Sequence, residues 1–193
     1  MNTNTVSVRP KNRFNILREA GKLGSFDEFP MLRPEVDPQL HLSHNSVDQP
    51  FYLVCGKDCV IAQFSGTSRV LFHASNVRHF DLVAGDYVYV PAGIPHRILT
   101  HSSGNVIRYK AREPGIEAAV WYCESCDSEL DRKVWNSSDT VAQIGYQQAC
   151  ERYNADPARR TCGGCGKVHA VVDLTQFRWL EVANGLNQGQ EDD

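Results

Sequence analysis

The sequence lacks the features that would place the protein in a membrane, on a nucleic acid or outside the cell. It has no apolar run approaching the roughly 18 residues of a membrane span. Acidic and basic residues nearly balance, 23 against 20, and a net charge of −3 gives no basis for binding nucleic acid or an anionic membrane. The first twelve residues are polar, without the apolar core of a signal peptide. We therefore expect a cytoplasmic protein.

Paired cysteines of the kind found in secreted domains are also missing. The chain has seven cysteines, an odd number. Four of them form two Cys-x-x-Cys pairs, whereas Cys55, Cys59 and Cys150 stand apart. An odd count without a signal peptide favours a reducing compartment, with metal thiolates rather than disulfides.

The stretch from Gly85 to His96 is the clearest signal that is present. Its first half, Tyr-Val-Tyr-Val, is typical of a strand, and three Pro and Gly residues then mark a tight turn. The spacing of Gly85, Pro91, Gly93 and His96 matches every fixed position in the second half of the cupin signature. A histidine held at a fixed distance from rigid turn residues is suited to bind a metal.

Short β-branched and aromatic segments recur about every ten residues, which predicts an antiparallel sandwich or barrel. The predicted strands cover residues 40–44, 51–55, 59–64, 69–72, 77–82, 87–90 and 105–110. Helical spacing predicts short helices over 14–23 and 141–153. The predicted fold is all-β: a cupin jelly-roll barrel with a small C-terminal four-cysteine module. The predicted divisions are a flexible arm (1–12), the barrel (13–116), the four-cysteine module (117–184) and a disordered tail (185–193).

The two Cys-x-x-Cys pairs, Cys123 with Cys126 and Cys162 with Cys165, predict a structural metal site. Four thiolates suit the tetrahedral coordination of zinc, or of iron in a rubredoxin-type centre. Four protein ligands leave no open position, so the site is expected to be structural. We expect His169 to lie at the surface.

A second metal site is predicted inside the barrel. Counting back by cupin spacing from Gly56 gives Gln49 at the position of the usual glutamate, and His44 lies five residues before it. His41 and His44 differ by an odd number of positions, so only one can face inward on a strand. The predicted ligands are His44, His96 and Gln49, with Asp48 as the alternative oxygen donor. Iron(II) with such ligands would keep open positions for O₂ and a substrate.

More specific motifs carry a family resemblance over roughly residues 12–172. They include Phe51-Tyr52, Trp121-Tyr-Cys-x-x-Cys126 and Cys162-x-x-Cys-Gly-x-Val-His169. On these motifs, together with the Gly85–His96 hairpin, the sequence resembles bacterial 3-hydroxyanthranilate 3,4-dioxygenase. That family is a small Fe(II) cupin that cleaves an aromatic ring and carries a C-terminal four-cysteine iron or zinc site. The resemblance implies a small-molecule substrate, O₂ and a homodimer.

The sequence departs from this family at several active-site positions. The iron-binding glutamate falls on Gln49, and the first iron histidine falls by strict spacing on Ser43. The two substrate-binding arginines fall on Thr100 and near Gln39, and a substrate-contacting glutamate falls on Arg108. The resemblance therefore implies an oxygenase for a small aromatic or carboxylate-bearing substrate other than 3-hydroxyanthranilate. Arg108 would bind a substrate carboxylate or lie in solvent. The alternative is a non-catalytic cupin that binds a small ligand or serves as a subunit of a larger assembly.

Overall fold

The computed structural model describes residues 15–188, so the predicted arm over 1–12 and the last five residues lie outside the described range. The strands are β1 (Phe29–Pro30), β2 (Gln39–Asn45), β3 (Tyr52–Cys55), β4 (Cys59–Gln63), β5 (Thr67–Phe72), β6 (His79–Leu82), β7 (Tyr87–Val90), β8 (His96–Ser102), β9 (Gly104–Lys110), β10 (Ile116–Tyr122) and β11 (Glu129–Asn136). The helices are α1 (Ile16–Ala20), α2 (Ala142–Ala155), α3 (Pro157–Arg160) and α4 (Trp179–Gln188), with a 3₁₀ turn at Leu174–Gln176.

Two antiparallel sheets form the body of the protein. The first sheet has the order β1-β2-β9-β4-β7 and the second β11-β10-β3-β8-β5-β6. Burial alternates along β4 and β5, as expected when one face of each strand packs into a shared core and the other faces out. A four-cysteine cluster lies near the C-terminus. The predicted antiparallel all-β fold with a C-terminal four-cysteine cluster is confirmed.

The second sheet extends past the predicted end of the barrel. Strand β10 pairs with β3 along four residues and with β11 on its other side. The predicted boundary between residues 116 and 117 therefore falls inside β10. Five consecutive residues of β10, Glu117–Trp121, are buried, so this strand lacks the period-2 pattern expected from a half-exposed strand. The tail predicted from residue 185 differs too, because α4 continues to Gln188.

Helix α2 joins the barrel to the C-terminal part. It covers the predicted range 141–153 and ends before Asp156, because the following proline disfavours the helical conformation there. Tyr146 of α2 packs against Phe51 of the barrel and against Trp179 of α4. Gly145 lies so close to the Trp135 ring that an added Cβ would approach it to 2.5 Å. These contacts fix α2 against both parts.

A short loop, residues 25–28, inserts into the core and is called the inward loop below. All four of its residues are buried, and Phe26 and Glu28 have positive φ values of 56° and 44°. Such strain persists only where surrounding contacts fix the backbone. Here the Glu28 N–H donates to Ser43 Oγ at 2.9 Å, and the Trp179 indole N–H donates to the Phe26 carbonyl at 3.0 Å.

Candidate metal centres

His96 opens β8 and faces the barrel interior with no exposed surface. Its Nδ1 lies 3.2 Å from the carbonyl oxygen of Ile94, and its Nε2 lies 2.6 Å from Nη1 of Arg108. A carbonyl can only accept, so Nδ1 carries the proton and the Nε2 lone pair accepts from the guanidinium. That lone pair is the one that a metal at the barrel centre would need.

The protonation of His96 agrees with this arrangement. Burial and the nearby Arg108 guanidinium lower the pKa of His96 to about 3, so the imidazole is neutral at physiological pH. A neutral histidine is ordinarily a good metal ligand. In this barrel, however, the acceptor nitrogen is engaged by a permanent cation.

Arg108 belongs to a buried network of alternating charges. Its Nε donates to Glu28 of the inward loop at 2.9 Å, and Lys110 lies 3.3 Å from Glu28 and 2.8 Å from Glu117. Burial acts to raise the pKa of Glu28, but Lys110 and Arg108 outweigh it and lower the pKa to about 2. The two cations and two carboxylates compensate one another without a metal. The predicted roles of Arg108, a substrate anchor or a solvated side chain, do not match this position.

His44 lies on the other face of its sheet. Its strand neighbour two positions away, Leu42, packs with Ala20 of α1 outside the barrel, and residues two apart share a face. Its Nδ1 lies 2.7 Å from Asn105 Oδ1, and its Nε2 lies 3.0 Å from Ser103 Oγ. The structure thus does not bring His44 to His96.

His41 is the histidine of β2 that faces inward. It pairs in register with Arg108, and burial together with the charge of Lys110 lowers its pKa to about 4. As strand alternation predicts, only one of His41 and His44 faces inward, but it is His41 rather than the predicted His44. Sequence alone gave no signal for the choice, because it depends on which side of the sheet α1 covers.

The two candidate oxygen ligands also make other contacts. Gln49 is buried and its amide nitrogen donates to the carbonyls of Phe51 and His96 at 2.9 and 3.2 Å. Its amide oxygen has no hydrogen-bond partner among the described residues. Asp48 accepts from the Thr100 N–H at 2.7 Å on an exposed turn. Gln49 is thus held by its amide nitrogen against backbone near His96.

These residues do not fit a mononuclear iron centre of the kind the resemblance implies. His44 lies outside the barrel wall, and the acceptor nitrogen of His96 is bound by Arg108. A divalent ion at Nε2 would also stand within about 4 Å of a guanidinium, a strongly repulsive contact in a buried setting.

The four-cysteine cluster, in contrast, has a geometry that fits a bound metal. Its sulfur atoms all lie within 4.8 Å of one another, with Cys123 and Cys165 3.6 Å apart and Cys126 and Cys162 3.4 Å apart. Metal–sulfur bonds of about 2.3 Å in a tetrahedron separate the sulfurs by roughly 3.8 Å. The four predicted cysteines are therefore together, with a geometry close to that of a thiolate-bound metal.

Each cysteine pair sits in the same local turn. The N–H of the residue after the second cysteine donates to the carbonyl of the first cysteine, from Asp127 to Cys123 and from Gly166 to Cys162, both at 2.8 Å. Asp127 and Gly166 both have positive φ, 62° and 75°. This repeated turn directs both sulfurs of each pair to one side. The cluster fits zinc or iron bound by four thiolates.

Two further predictions about side chains can be compared with the structure. His169 is half-buried rather than at the surface, and it is absent from the group of metal-ligating atoms among the described residues. Strand alternation predicts that Arg97 faces away from His96 and lies in solvent; it is half-buried instead, and its Nε donates to the Gln49 carbonyl at 2.6 Å.

Sequence reasoning missed part of the barrel centre. Cys55 and Cys59 lie with His96, their ligand atoms within 4.8 Å of one another, and Glu28 enters from the inward loop. The alternation of buried and half-buried residues along β3 and β4 is the signal that places the two cysteines on inward faces. Nothing in the local sequence signals that a loop 80 residues from Arg108 brings Glu28 to it.

Comparison with known proteins supports a distant resemblance to one family of enzymes. The chain is 30% identical over 86 residues to 3-hydroxyanthranilate 3,4-dioxygenase of Bacillus cereus, covering 44% of this chain and 47% of that protein. It is 31% identical over 88 residues to the Podospora anserina enzyme of the same name, covering 45% and 46%. For the Candida albicans enzyme the identity is 24% over 128 residues, covering 65% and 68%. The chain spans about half the length of the first two relatives.

Solved structures with partial similarity include a dioxygenase and a cupin-domain protein. A hydroquinone 1,2-dioxygenase from Sphingomonas sp. TTNP3 aligns with a TM-score of 0.46 and 10% identity, covering 56% of this chain and 80% of that one. A cupin-2 domain protein from Shewanella frigidimarina aligns with a TM-score of 0.44 and 16% identity, covering 52% and 96%. No model of a known protein family matches the chain. Within residues 15–188, no helix has the length and apolarity needed to span a membrane.

Proposed function

We propose that this chain is a non-catalytic relative of the cupin dioxygenases, a closed barrel with a structural metal site that serves as a subunit or scaffold. The observation that carries the proposal is the 2.6 Å contact between Arg108 Nη1 and His96 Nε2. A guanidinium keeps its charge at any physiological pH, so this contact places a cation on the nitrogen that a metal would need.

The substituted family positions support the same conclusion. Ser43, at the place of the first iron histidine, accepts from the inward loop at Glu28. Gln49, at the place of the iron-binding glutamate, donates to barrel backbone. Arg108, at the place of a substrate-contacting glutamate, binds Glu28 and His96. Each substitution thus contributes a contact that closes the barrel rather than one that opens a coordination site.

The second candidate function is an Fe(II) oxygenase that uses O₂ on a small aromatic or carboxylate-bearing substrate. The relatives are named as dioxygenases, and the family resemblance places His96 at the position of the last iron ligand. This function requires Arg108 to leave His96 and requires further ligands to replace those of the family. A homodimer and a cytoplasmic location stay predictions for either function.

Metal analysis combined with oxygen uptake separates the two functions. We expect the wild-type protein to hold one metal per chain, at the four cysteines, and to consume no O₂ with 3-hydroxyanthranilate or related aminophenols and catechols. His96→Ala should then leave the metal content unchanged. Two metals per chain, with one lost in His96→Ala, would favour the oxygenase.

A gain-of-site variant provides the matched comparison. The triple change Ser43→His, Gln49→Glu and Arg108→Glu restores the ligand types that the resemblance implies and removes the blocking cation. We expect this variant to bind a second divalent metal where the wild type does not. If the triple variant and the wild type bind the same number of metals, Arg108 is not what excludes the barrel metal.

A further inference from the structure

Two cysteines that the proposed function does not use face each other at one end of the barrel. Cys55 ends β3 and Cys59 begins β4, separated by a three-residue turn. Their sulfurs and a ring nitrogen of His96 lie within 4.8 Å of one another. Such a trio could bind a soft metal, but the Nε2 lone pair already accepts from Arg108. The pair is therefore better explained by thiol chemistry.

We propose that Cys55 and Cys59 form a redox-active dithiol that a hydroperoxide oxidises to a disulfide. Cys59 is the attacking sulfur and Cys55 the resolving one. The proposal assigns a modification site within the barrel and does not depend on whether the protein is catalytic.

The neighbouring side chains give the Cys55 and Cys59 thiols different pKa values. Arg108 Nη1 lies 3.9 Å from Cys59 Sγ, so a guanidinium stands beside this sulfur and stabilises its thiolate. The neighbouring Cys55 thiol, together with Arg108 and Lys110, lowers the pKa of Cys59 to about 7 despite burial. The same interaction with Cys59, together with burial, raises the pKa of Cys55, so Cys55 stays a thiol. One thiolate beside one thiol is the arrangement that disulfide formation needs.

Cys59 contributes to the lining of a groove on the outer face of the first sheet, whereas its sulfur lies on the inward face of β4. The groove has a volume of about 420 Å³, and Lys110 also contributes to its lining beside Tyr87, Tyr89 and Tyr109. Cys59 itself is only 3% exposed. A reagent as small as a hydroperoxide suits this limited exposure, whereas a bulky disulfide reagent does not.

The proposed reaction is balanced with the hydroperoxide as the only oxidant. The Cys59 thiolate attacks one peroxide oxygen, the O–O bond breaks, and the products are a sulfenic acid and hydroxide. The Cys55 thiol then attacks the Cys59 sulfur, the S–O bond breaks, and water leaves as the disulfide forms. The two sulfurs lose two electrons in total, and the peroxide gains them.

The test uses the zinc-loaded full chain, in which the four-cysteine site is protected by its metal. The protein is treated with hydrogen peroxide, free thiols are alkylated, and the denatured chain is digested with trypsin. Cleavage at Lys57 separates residues 23–57, which contain Cys55, from residues 58–69, which contain Cys59. We expect these two peptides to be recovered joined, two hydrogens lighter than their sum, and to separate on reduction with dithiothreitol.

Variants assign the roles. Cys55→Ser should halt the reaction at a sulfenic acid on Cys59, which dimedone traps, whereas Cys59→Ser should lower the rate of peroxide loss by about tenfold, since only the minor thiolate fraction of an ordinary thiol remains. Cys150→Ser is the matched control, because burial raises the pKa of this isolated cysteine and its loss should not change the rate. Circular dichroism verifies that each variant is folded.

Several results would overturn the proposal. They are the absence of the joined peptide after peroxide treatment, dimedone labelling of Cys150 at the same rate as Cys59, or a joined peptide formed by oxidised glutathione but not by hydrogen peroxide. A folded Cys55→Ser protein in which Cys59 resists dimedone would equally exclude Cys59 as the attacking sulfur.

Discussion

The barrel centre and the four-cysteine cluster both gather metal-ligating side chains, but at the barrel centre a guanidinium binds the ligand nitrogen of His96, whereas no cation of the described residues binds the four sulfurs. At the barrel centre, Arg108 and Lys110 supply positive charge from within the protein. At the cluster, no side-chain cation within residues 15–188 is hydrogen-bonded to the four sulfurs, whose side-chain hydrogen bonds are with one another and with Ser128. Four thiolates brought together need a cation, and here it must come from outside. The comparison teaches that ligand type alone does not make a metal site; a free lone pair and an uncompensated negative charge are also required.

The strongest way to sharpen this comparison is to remove the metal from the cluster. Cys126→Ser, Cys165→Ser or a strong chelator should release one metal per chain and lower the melting temperature, because structural zinc contributes on the order of 10 kcal/mol in small zinc domains. Metal analysis and thermal unfolding measure both effects. Cys150→Ser, which removes a buried cysteine outside the cluster, is the control. Unchanged metal content and melting in the cluster variants would contradict a metal role for these cysteines.

The barrel centre should be destabilised by the loss of an internal charge rather than by the loss of a metal. Glu28→Gln leaves Arg108 and Lys110 with less compensation, and breaking a buried pair from one side costs about 3–5 kcal/mol. Urea unfolding should show this loss, with no change in metal content. Glu35→Gln, on an exposed loop, is the matched control and should change the free energy of unfolding by less than about 0.5 kcal/mol. A Glu28→Gln variant as stable as the control would show that the network contributes little.

Low pH should destabilise the barrel because its buried histidines are neutral in the folded protein. His96 has a pKa of about 3 in the folded protein, against an ordinary value of 6.5. Below 6.5 the unfolded chain therefore binds a proton that the folded chain does not, and stability falls as pH falls through the window from 6.5 to about 3. The slope is about 1.4 kcal/mol per pH unit for this group.

The variant His96→Asn should remove this contribution. Urea unfolding at about pH 7 and about pH 5 gives the change in unfolding free energy with pH for the wild type and for the variant. The acid sensitivity of the cysteine cluster is common to both proteins, so it cancels in the difference. We expect the variant to lose less stability over this interval. Equal losses would mean that His96 is not buried as a neutral base.

The smallest expected effect concerns α2, which connects the two regions. Gly145→Ala would bring a Cβ to 2.5 Å from the Trp135 ring, and overpacking of this kind costs about 1–3 kcal/mol. Gly185→Ala in α4 is the matched helix glycine, with no atom near its added Cβ. Thermal unfolding should show destabilisation for the first and no loss for the second. If both variants melt alike, α2 can shift away from Trp135 without cost.

Local patterns in the sequence determined the four-cysteine cluster and most of the strands. Each Cys-x-x-Cys turn is closed by hydrogen bonds within five residues, so spacing alone predicts which sulfurs face together. The alternation of apolar residues predicted the strands because burial of one face follows directly from strand geometry. The position of His96 directly after its hairpin is likewise determined by a short stretch of sequence.

Tertiary structure alone decided what the barrel contains. Glu28 reaches Arg108 from 80 residues away, and α1 covers the face of β2 that carries His44, so His41 faces inward instead. Strand β10, placed beyond the barrel by its sequence, belongs to the second sheet, where it pairs with β3 and β11 and is buried on both faces. These outcomes depend on the free energy of packing distant segments and compensating buried charge, which no short stretch of sequence encodes.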